Sequence, residues 1–261
     1  MPPRRVLAAF GVGERSPERL PGGRGLAWRA GDLVLRPHGD LEEARWRSDV
    51  LTRLPQSPAF RTPRPIPTLD GEWTSDGWEA WQWLPGAADE SRVVDVIEAG
   101  TEFHAVVASL GRPAFLDRSE DAWSRADRAV WGEGALPHGR LLDRLAAAFA
   151  PVAAPSQVIH GDLLGNVLFA PGAPPAIIDW APYWRPAALG AAIAAVDAAC
   201  WHGWPVSRLE ELGAGDRDWR QLLVRALAFR IATLHLLGAW TPAMDARHEP
   251  AVLALERGRP R

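Results

Sequence analysis

The first third of the chain alternates apolar and polar positions over short runs. Leu26-Ala-Trp-Arg29 and Leu33-Val-Leu-Arg36 are brief stretches of strand formers on either side of the tight-turn sequence Ala30-Gly31-Asp32, and together they predict a hairpin. Asp40-Leu-Glu-Glu43 has the spacing of a capping box, and the apolar positions Leu41, Ala44, Val50, Leu51 and Leu54 predict a helix that ends before Pro55. Prolines at 58, 63, 65 and 67 then force an extended connection. Trp78 to Leu84 alternates large and polar residues as an edge or half-buried strand does, and Pro85-Gly86 ends it.

Beyond Gly86 the apolar spacing changes to three and four residues. It predicts helices over Val93 to Leu110, Arg140 to Phe149, Ala187 to Ala199 and Trp219 to Leu237. Three short apolar runs interrupt them: Val158-Ile159, Val167-Leu-Phe169 and Ala176-Ile-Ile178. Each abuts polar residues that would be costly to bury without a purpose. No internal repeat or low-complexity linker breaks the chain. The change of pattern predicts an α+β protein of two lobes: residues 1–85, small, with an antiparallel sheet and one helix, and residues 86–261, larger and mainly helical.

Composition removes several chemistries. The 261 residues are 47% hydrophobic and 23% charged with a net charge of −3, which suits a globular protein with an ample core. All 29 basic residues are arginine, so there is no Walker-A lysine, no Schiff-base lysine and no Ser-Lys pair. The single cysteine, Cys200, excludes an internal disulfide, a CxxC site and a multi-cysteine zinc site. Arginines are interspersed with carboxylates, so no nucleic-acid partner is expected. The apolar stretch Ala187 to Cys200 is broken by Asp197 and too short to span a bilayer, so no membrane partner is expected either. Met1 to Gly13 has a faint outline of a signal peptide, but Glu14 and Arg15 follow at once without a cleavage pattern, and a cytoplasmic location is the expectation. Oligomeric state is left open.

The most informative segment is Val158-Ile-His160-Gly-Asp162-Leu-Leu-Gly-Asn166-Val-Leu-Phe169, followed by Ile177-Ile-Asp179-Trp180. In a strand-loop-strand arrangement Asp162 and Asn166 project from one loop, while Asp179 closes the next strand beside them. Oxygen ligands of this kind suit Mg²⁺, which takes one or two carboxylates and leaves its other positions to phosphates and water.

His160-Gly-Asp162 through Asn166, with Ile178-Asp179-Trp180, resembles the catalytic core of the aminoglycoside phosphotransferase-like kinases, which share the two-lobed architecture of protein kinases. The resemblance implies ATP- and Mg²⁺-dependent phosphorylation of a hydroxyl on a small molecule. Asp162 would accept or orient the proton of the attacking hydroxyl, and Asn166 and Asp179 would hold the metal. More weakly, it extends over most of the chain. Arg36 ends the strand where the kinase lysine would sit, Gly22, Gly23 and Gly25 would cover nucleotide phosphates with backbone N–H groups, and adenine would lie against the hinge at Trp81, Trp83 and Leu84. His160 is expected to brace the loop through backbone hydrogen bonds. Gly11-Val-Gly13 lacks a parallel βαβ setting and is not read as a dinucleotide site.

The chain departs from the family pattern in four places. Asn166 follows Asp162 by four positions instead of five, and Arg36 replaces lysine. The helical glutamate that should pair with Arg36 is Glu43, or else Glu42. Ala181-Pro-Tyr-Trp-Arg-Pro186 stands where many relatives carry Gly-Asp-Pro and a further aspartate, a role Asp197 would partly fill unless it merely caps a helix. These departures define the alternative, a pseudokinase-like nucleotide-binding or regulatory module without phosphoryl transfer. Nucleotidyl transfer and metal-dependent hydrolysis through His160 and Asp162 are further alternatives, the latter lacking other histidines at ligand spacing. Of the 14 tryptophans, Trp180, Trp184, Trp201 and Trp204 follow the metal-binding segment and would either wall a substrate cleft or fill the core. Glu210, Glu211, Asp216 and Asp218 are mixed with Arg208, Arg217 and Arg220, which does not make the acidic cleft a polycationic aminoglycoside needs.

Overall fold

A computed structural model describes residues 1–22, 25–55, 57–213 and 215–257. Two compact units make up the chain: Met1–Ala87 with Leu168–Ile178, and Ala88–Val167 with Asp179–Arg261. The segment Leu168–Ile178, assigned from sequence to the second lobe, therefore belongs to the first unit.

The opening segment is a short helix, α1 (Arg4–Ala9), whose Val6 and Leu7 pack with Phe10 against Ala30, Leu35 and Ala80. Its faintly signal-like residues are thus part of a core. The expected hairpin forms from β2 (Trp28–Ala30) and β3 (Leu33–Pro37), with Trp28 opposite Leu35 and Ala30 opposite Leu33, and β1 (Glu18–Arg19) adds on beside β2. The expected helix is α2 (Leu41–Arg53), and the Asp40 side chain caps it by accepting from the Glu43 backbone N–H at 2.7 Å. After it come β4 (Pro65–Ile66), β5 (Thr74–Ser75) and β6 (Trp78–Gln82), in an antiparallel sheet of order β1-β2-β3-β6-β4 with β5 also on β6. Of the two readings its alternation allows, edge or half-buried, the Trp78 strand is not an edge: it lies inside the sheet, with its middle residues buried. The proline-rich connection covers its open side with Pro65 and Ile66, and a proline is tolerated there because β4 is itself an edge.

A short β7 (Ala87–Ala88) precedes the helices α3 (Val93–Val107), α4 (Ala122–Val130) and α5 (Arg140–Ala146). The three apolar runs become β8 (Ser156–His160), β9 (Val167–Ala170) and β10 (Ala173–Ile177), the last two forming a sheet of order β10-β9-β7. Arg61 holds β10 in the first unit: its N–H bonds Pro175 O at 2.8 Å, its carbonyl accepts from Ile177 N–H at 2.9 Å, and its Nε reaches Pro174 O at 3.0 Å. The chain then forms β11 (Pro182–Pro186), antiparallel to β8 with Pro182 opposite His160, and the helices α6 (Ala188–Trp201), α7 (Trp219–Leu236) and α8 (Pro242–Arg257). Sequence patterning missed α4, β11 and α8 for identifiable reasons. α4 is short and polar, prolines bracket β11, and Pro250 lies inside α8.

The main core lies between α6 and α7. α6 is buried on nearly every side, as a helix apolar almost all round must be, α7 turns its broad apolar face to it, and Leu189, Ile193 and Val196 belong to one core cluster with Leu222, Leu223, Leu227 and Ile231. No helix among the described residues is long and apolar enough to cross a membrane. Leu227→Ala removes a fully buried side chain from this core. It is expected to destabilise the protein by about 2–5 kcal/mol, read from the midpoint of urea unfolding.

Candidate active site

In the first unit, antiparallel pairing of β3 with β6 sets Arg36 directly opposite Glu79. Arg36 Nε donates to Glu79 Oε1 at 2.6 Å, and Arg47 Nη2 donates to both Glu79 oxygens at 2.9 and 3.1 Å. From α2, Glu43 accepts from Arg47 Nη1 at 2.6 Å, one helical turn away. A strand glutamate that sequence reading overlooked is thus a partner of Arg36. Glu43, the helix candidate, bonds Arg47 and acts on Arg36 through its charge. Glu79 is 1% exposed, so its carboxylate depends on the two guanidinium groups. Burial alone would raise its pKa, but Arg36 and Arg47 outweigh that and hold it below the ordinary carboxylate range. Burial and the Arg47 charge lower the Arg36 pKa, whereas Glu79 and Glu43 overcome burial to raise that of Arg47.

Residues i and i+2 on a strand share a face, so Trp81 lies beneath the same network. The Arg36 and Arg47 guanidinium carbons sit 5.9 and 5.8 Å from its ring centroid. Trp81 and Leu84 are buried, while Trp83 is half-buried, with Arg29 stacked on its ring at 4.4 Å and its N–H bonded to Asp32 O at 2.7 Å. Gly22 and Gly25 lie in the loop joining β1 to β2, where Arg19 Nε bonds the Gly25 carbonyl at 2.8 Å. Gly23 lies outside the described residues.

In the second unit, β8 delivers His160 to a buried position and the loop after it carries Asp162 and Asn166. His160 Nδ1 accepts from the Asp162 backbone N–H at 3.1 Å, which makes His160 the brace expected from sequence. Its own N–H donates to His104 Nε2 of α3 at 2.9 Å. Burial, followed by the neighbouring His160, pushes the His104 pKa down to about 3, so His104 is a neutral acceptor. This contact demands glycine across from it: a Cβ on Gly190 would stand 2.6 Å from His104 Cε1 and 2.7 Å from the His160 carbonyl oxygen. Trp180 completes the support, donating to Ile159 O at 3.1 Å and meeting Phe103 edge-on at 5.1 Å. It is a core residue beneath the loop. Among the other tryptophans near it in sequence, Trp201, which stays exposed, has Arg247 over its ring at 4.7 Å, and Trp204 has Arg208 at 5.0 Å.

The loop with one residue fewer still brings Asn166 onto Asp162. Asn166 N–H bonds Leu163 O at 2.9 Å across a turn in which Gly165 has φ +86°, the conformation a type II turn requires at its third residue. Asn166 Nδ2 then donates to the Asp162 carbonyl at 2.7 Å and to Asp162 Oδ2 at 3.1 Å. Asp179, in the bend between β10 and β11, has φ +51°, a left-handed conformation that is strained for a side-chain-bearing residue. Among the described residues, no group of three or more His, Cys, Asp or Glu is placed to hold a metal. Asn166 Oδ1 and the Asp179 carboxylate, the two donors expected from the motif, are both oxygens, the kind of ligand Mg²⁺ takes.

Two charges from the core helices finish the site. Arg230 Nη2 of α7 donates to Asp162 Oδ1 at 2.6 Å, while its Nε donates to both oxygens of Asp197 on α6 at 2.9 and 3.1 Å. Asp197 is therefore an ion-pair partner deep in the helical core, not a helix cap. Burial raises its pKa, with Arg230 opposing, and the Asp197 and Asp162 charges overcome burial to raise that of Arg230. Sequence reading passed over Arg230, although an arginine between the buried Phe229 and Ile231, matched by an aspartate in another apolar helix, signals a buried pair.

Residues 26–223 match the model of the phosphotransferase enzyme family. Solved structures of similar fold include an aminoglycoside phosphotransferase from Alicyclobacillus acidocaldarius, 16% identical over 98% of this chain and 96% of that one, with a TM-score of 0.61. A choline/ethanolamine kinase family protein from Mesorhizobium loti is 17% identical over 98% of both chains, at a TM-score of 0.54. A spectinomycin phosphotransferase in complex with ADP and spectinomycin is 13% identical, covering 98% of this chain and 93% of that one, at a TM-score of 0.55. No curated protein matches the chain at a significant level. These likenesses give both α+β units together the protein-kinase-like fold.

Glu79→Gln leaves the buried Arg47 and the half-buried Arg36 without their shared carboxylate and is expected to lower stability by about 3 kcal/mol, measured by urea unfolding at neutral pH. His104 sets a second expectation. Its folded pKa of about 3 lies below the unfolded value near 6.5, so between these limits the unfolded chain binds the extra proton. Its contribution to stability falls as pH drops through that window, and His104→Gln should flatten that part of the stability-pH curve.

Proposed function

The chain belongs to the phosphotransferase enzyme family and is a small-molecule kinase, and from that premise we propose that it transfers the γ-phosphoryl group of ATP, with Mg²⁺, to a hydroxyl of a small molecule. The observation that carries this reading is the placement of Asn166. Its amide nitrogen is spent on the Asp162 carbonyl and carboxylate, which leaves Oδ1 for a cation despite the shortened loop. The left-handed backbone of Asp179 is the second support, since it sets the direction in which the residue after β10 presents its carboxylate.

Asn166 and Asp179 would hold Mg²⁺, which when bound would neutralise phosphate charge. Asp162 does the chemistry that belongs to the chain. With Oδ1 occupied by Arg230, Oδ2 is the atom that orients the acceptor hydroxyl and takes its proton, an effect of roughly a hundred- to ten-thousand-fold for a well-placed base. In the first unit, Arg36 would meet nucleotide phosphates. Its guanidinium is aimed by Glu79, and its fork suits bidentate contact with phosphate oxygens. Gly22 and Gly25 would cover the phosphates with backbone N–H groups, and Trp83 offers the half-exposed ring against which adenine would stack. With Trp81 and Leu84 buried, their part is to support that segment from below.

ATP at about a hundred times its dissociation constant should stabilise the wild-type protein by roughly 2.7 kcal/mol in thermal unfolding, and only with Mg²⁺ present. Asp179→Asn, which tolerates the left-handed backbone, should lose that response. Asp162→Asn should keep the response and lose ADP release on a panel of small amino alcohols, sugars and hydroxy acids. Stabilisation of the wild type without ADP release on any acceptor would instead identify a binding module, and no response to any nucleotide would remove the ATP reading.

A further inference from the structure

Helix α7 bears on Asp162 directly and, through Tyr183, on the Gly161 before it. Arg230 bonds Asp162 Oδ1, and the next residue back, Phe229, meets Tyr183 edge-on at 5.7 Å. Tyr183 in turn lies against Gly161 so closely that a Cβ there would stand 2.4 Å from the ring. The Arg230 guanidinium is itself fixed in plane. Asp197 takes Nε and Nη2 on its two oxygens, and the same Nη2 reaches Asp162. A planar fork held by two donors on one carboxylate has no freedom to rotate, so the direction in which it meets Asp162 is set by α6. An ammonium group could not do this, because its donors rotate about a single point.

We propose that Arg230, anchored by Asp197, is a positioning residue for phosphoryl transfer: it locks Asp162 Oδ1 and thereby presents Oδ2 to the acceptor hydroxyl. This rests on the reading of Asp162 as the proton-accepting carboxylate. Asn166 Nδ2 steadies Oδ2 from the other side, so the carboxylate is gripped at both oxygens and cannot turn its plane. The arrangement links the loop of Asp162 and Asn166 to the helical core, and it explains why two opposite charges persist between the core helices α6 and α7.

Single removal of Arg230 would strand a buried aspartate, so the informative variant carries Arg230→Gln together with Asp197→Asn, which removes both charges at once. Its unfolding midpoint is expected to stay near that of the wild type. With ATP, Mg²⁺ and the acceptor panel, kcat should fall about 100-fold while the KM for ATP changes by less than about threefold, as expected when a reacting group is misplaced by about an ångström and nucleotide contacts are kept. Arg230→Lys keeps the charge and loses the fork, and should recover only part of kcat. A third readout needs no turnover: thermal unfolding of Arg230→Gln, Asp162→Asn and the double variant without nucleotide should show non-additive shifts. The proposal is overturned if kcat in the charge-free pair or in Arg230→Lys stays within threefold of wild type, if kcat and ATP binding fall together, or if the unfolding shifts simply add. Absence of ADP release by the wild-type protein on every acceptor overturns the phosphotransferase reading itself, and the positioning role with it.

Discussion

A charge placed inside an apolar interior must meet an opposite charge in good geometry or be expelled, and both halves of this protein are organised by that constraint. In the second unit it acts through Arg230, which stands between Asp197 in the helical core and Asp162 on the loop. Helix α7 cannot slide or rotate against α6 without breaking the Arg230–Asp197 contact, and the loop cannot shift without breaking Arg230–Asp162. Packing of Leu223, Leu227 and Ile231 supplies the bulk of the driving force, but it is non-directional. The ion pairs supply direction.

The first unit solves the same problem with a different arrangement. Glu79 is buried between two arginines, and the sheet register, not a helix, brings it to Arg36. In a chain without lysine, the guanidinium fork becomes the means of binding a buried carboxylate, and one carboxylate can serve two forks. Arg47 then ties the pair to α2 through Glu43, so the helix still reaches the network, one residue removed from the contact that family resemblance suggests.

The loop from His160 to Asn166 shows how local chemistry absorbs a missing residue. The type II turn at Gly165 tightens the path enough for the Asn166 amide to reach the Asp162 carbonyl. His160 and His104 replace water as partners for the buried backbone N–H groups of the loop, with His104 kept neutral by its surroundings. Rigid support from the core on one side and a hydrogen-bonded turn on the other leave Asp162 little freedom, which is what catalysis by positioning requires.

Much of this was legible in the residues themselves. The hairpin around Gly31, the Asp40 cap, the helical spacing of α3, α6 and α7, and the His160-Gly-Asp162 segment with Asn166 and Asp179 all depend on neighbours close in sequence, where propensity, period and turn chemistry act. Elements whose signals conflict locally were hidden. Prolines disguised β11 and the interior of α8, and the edge alternative for β6 stayed open because the strand covering it comes from a proline-rich connection. Partners that meet only after folding carry no local signal at all. Glu79 lies 43 residues from Arg36, and Arg230 lies 68 from Asp162 and 33 from Asp197. Sequence alone determined the candidate motif, Asp162, Asn166 and Asp179 at their spacing, because motif spacing is a property of the chain. Tertiary structure alone decided which charges hold them in place, because a buried ion requires a counter-ion in space, wherever along the chain that counter-ion is encoded.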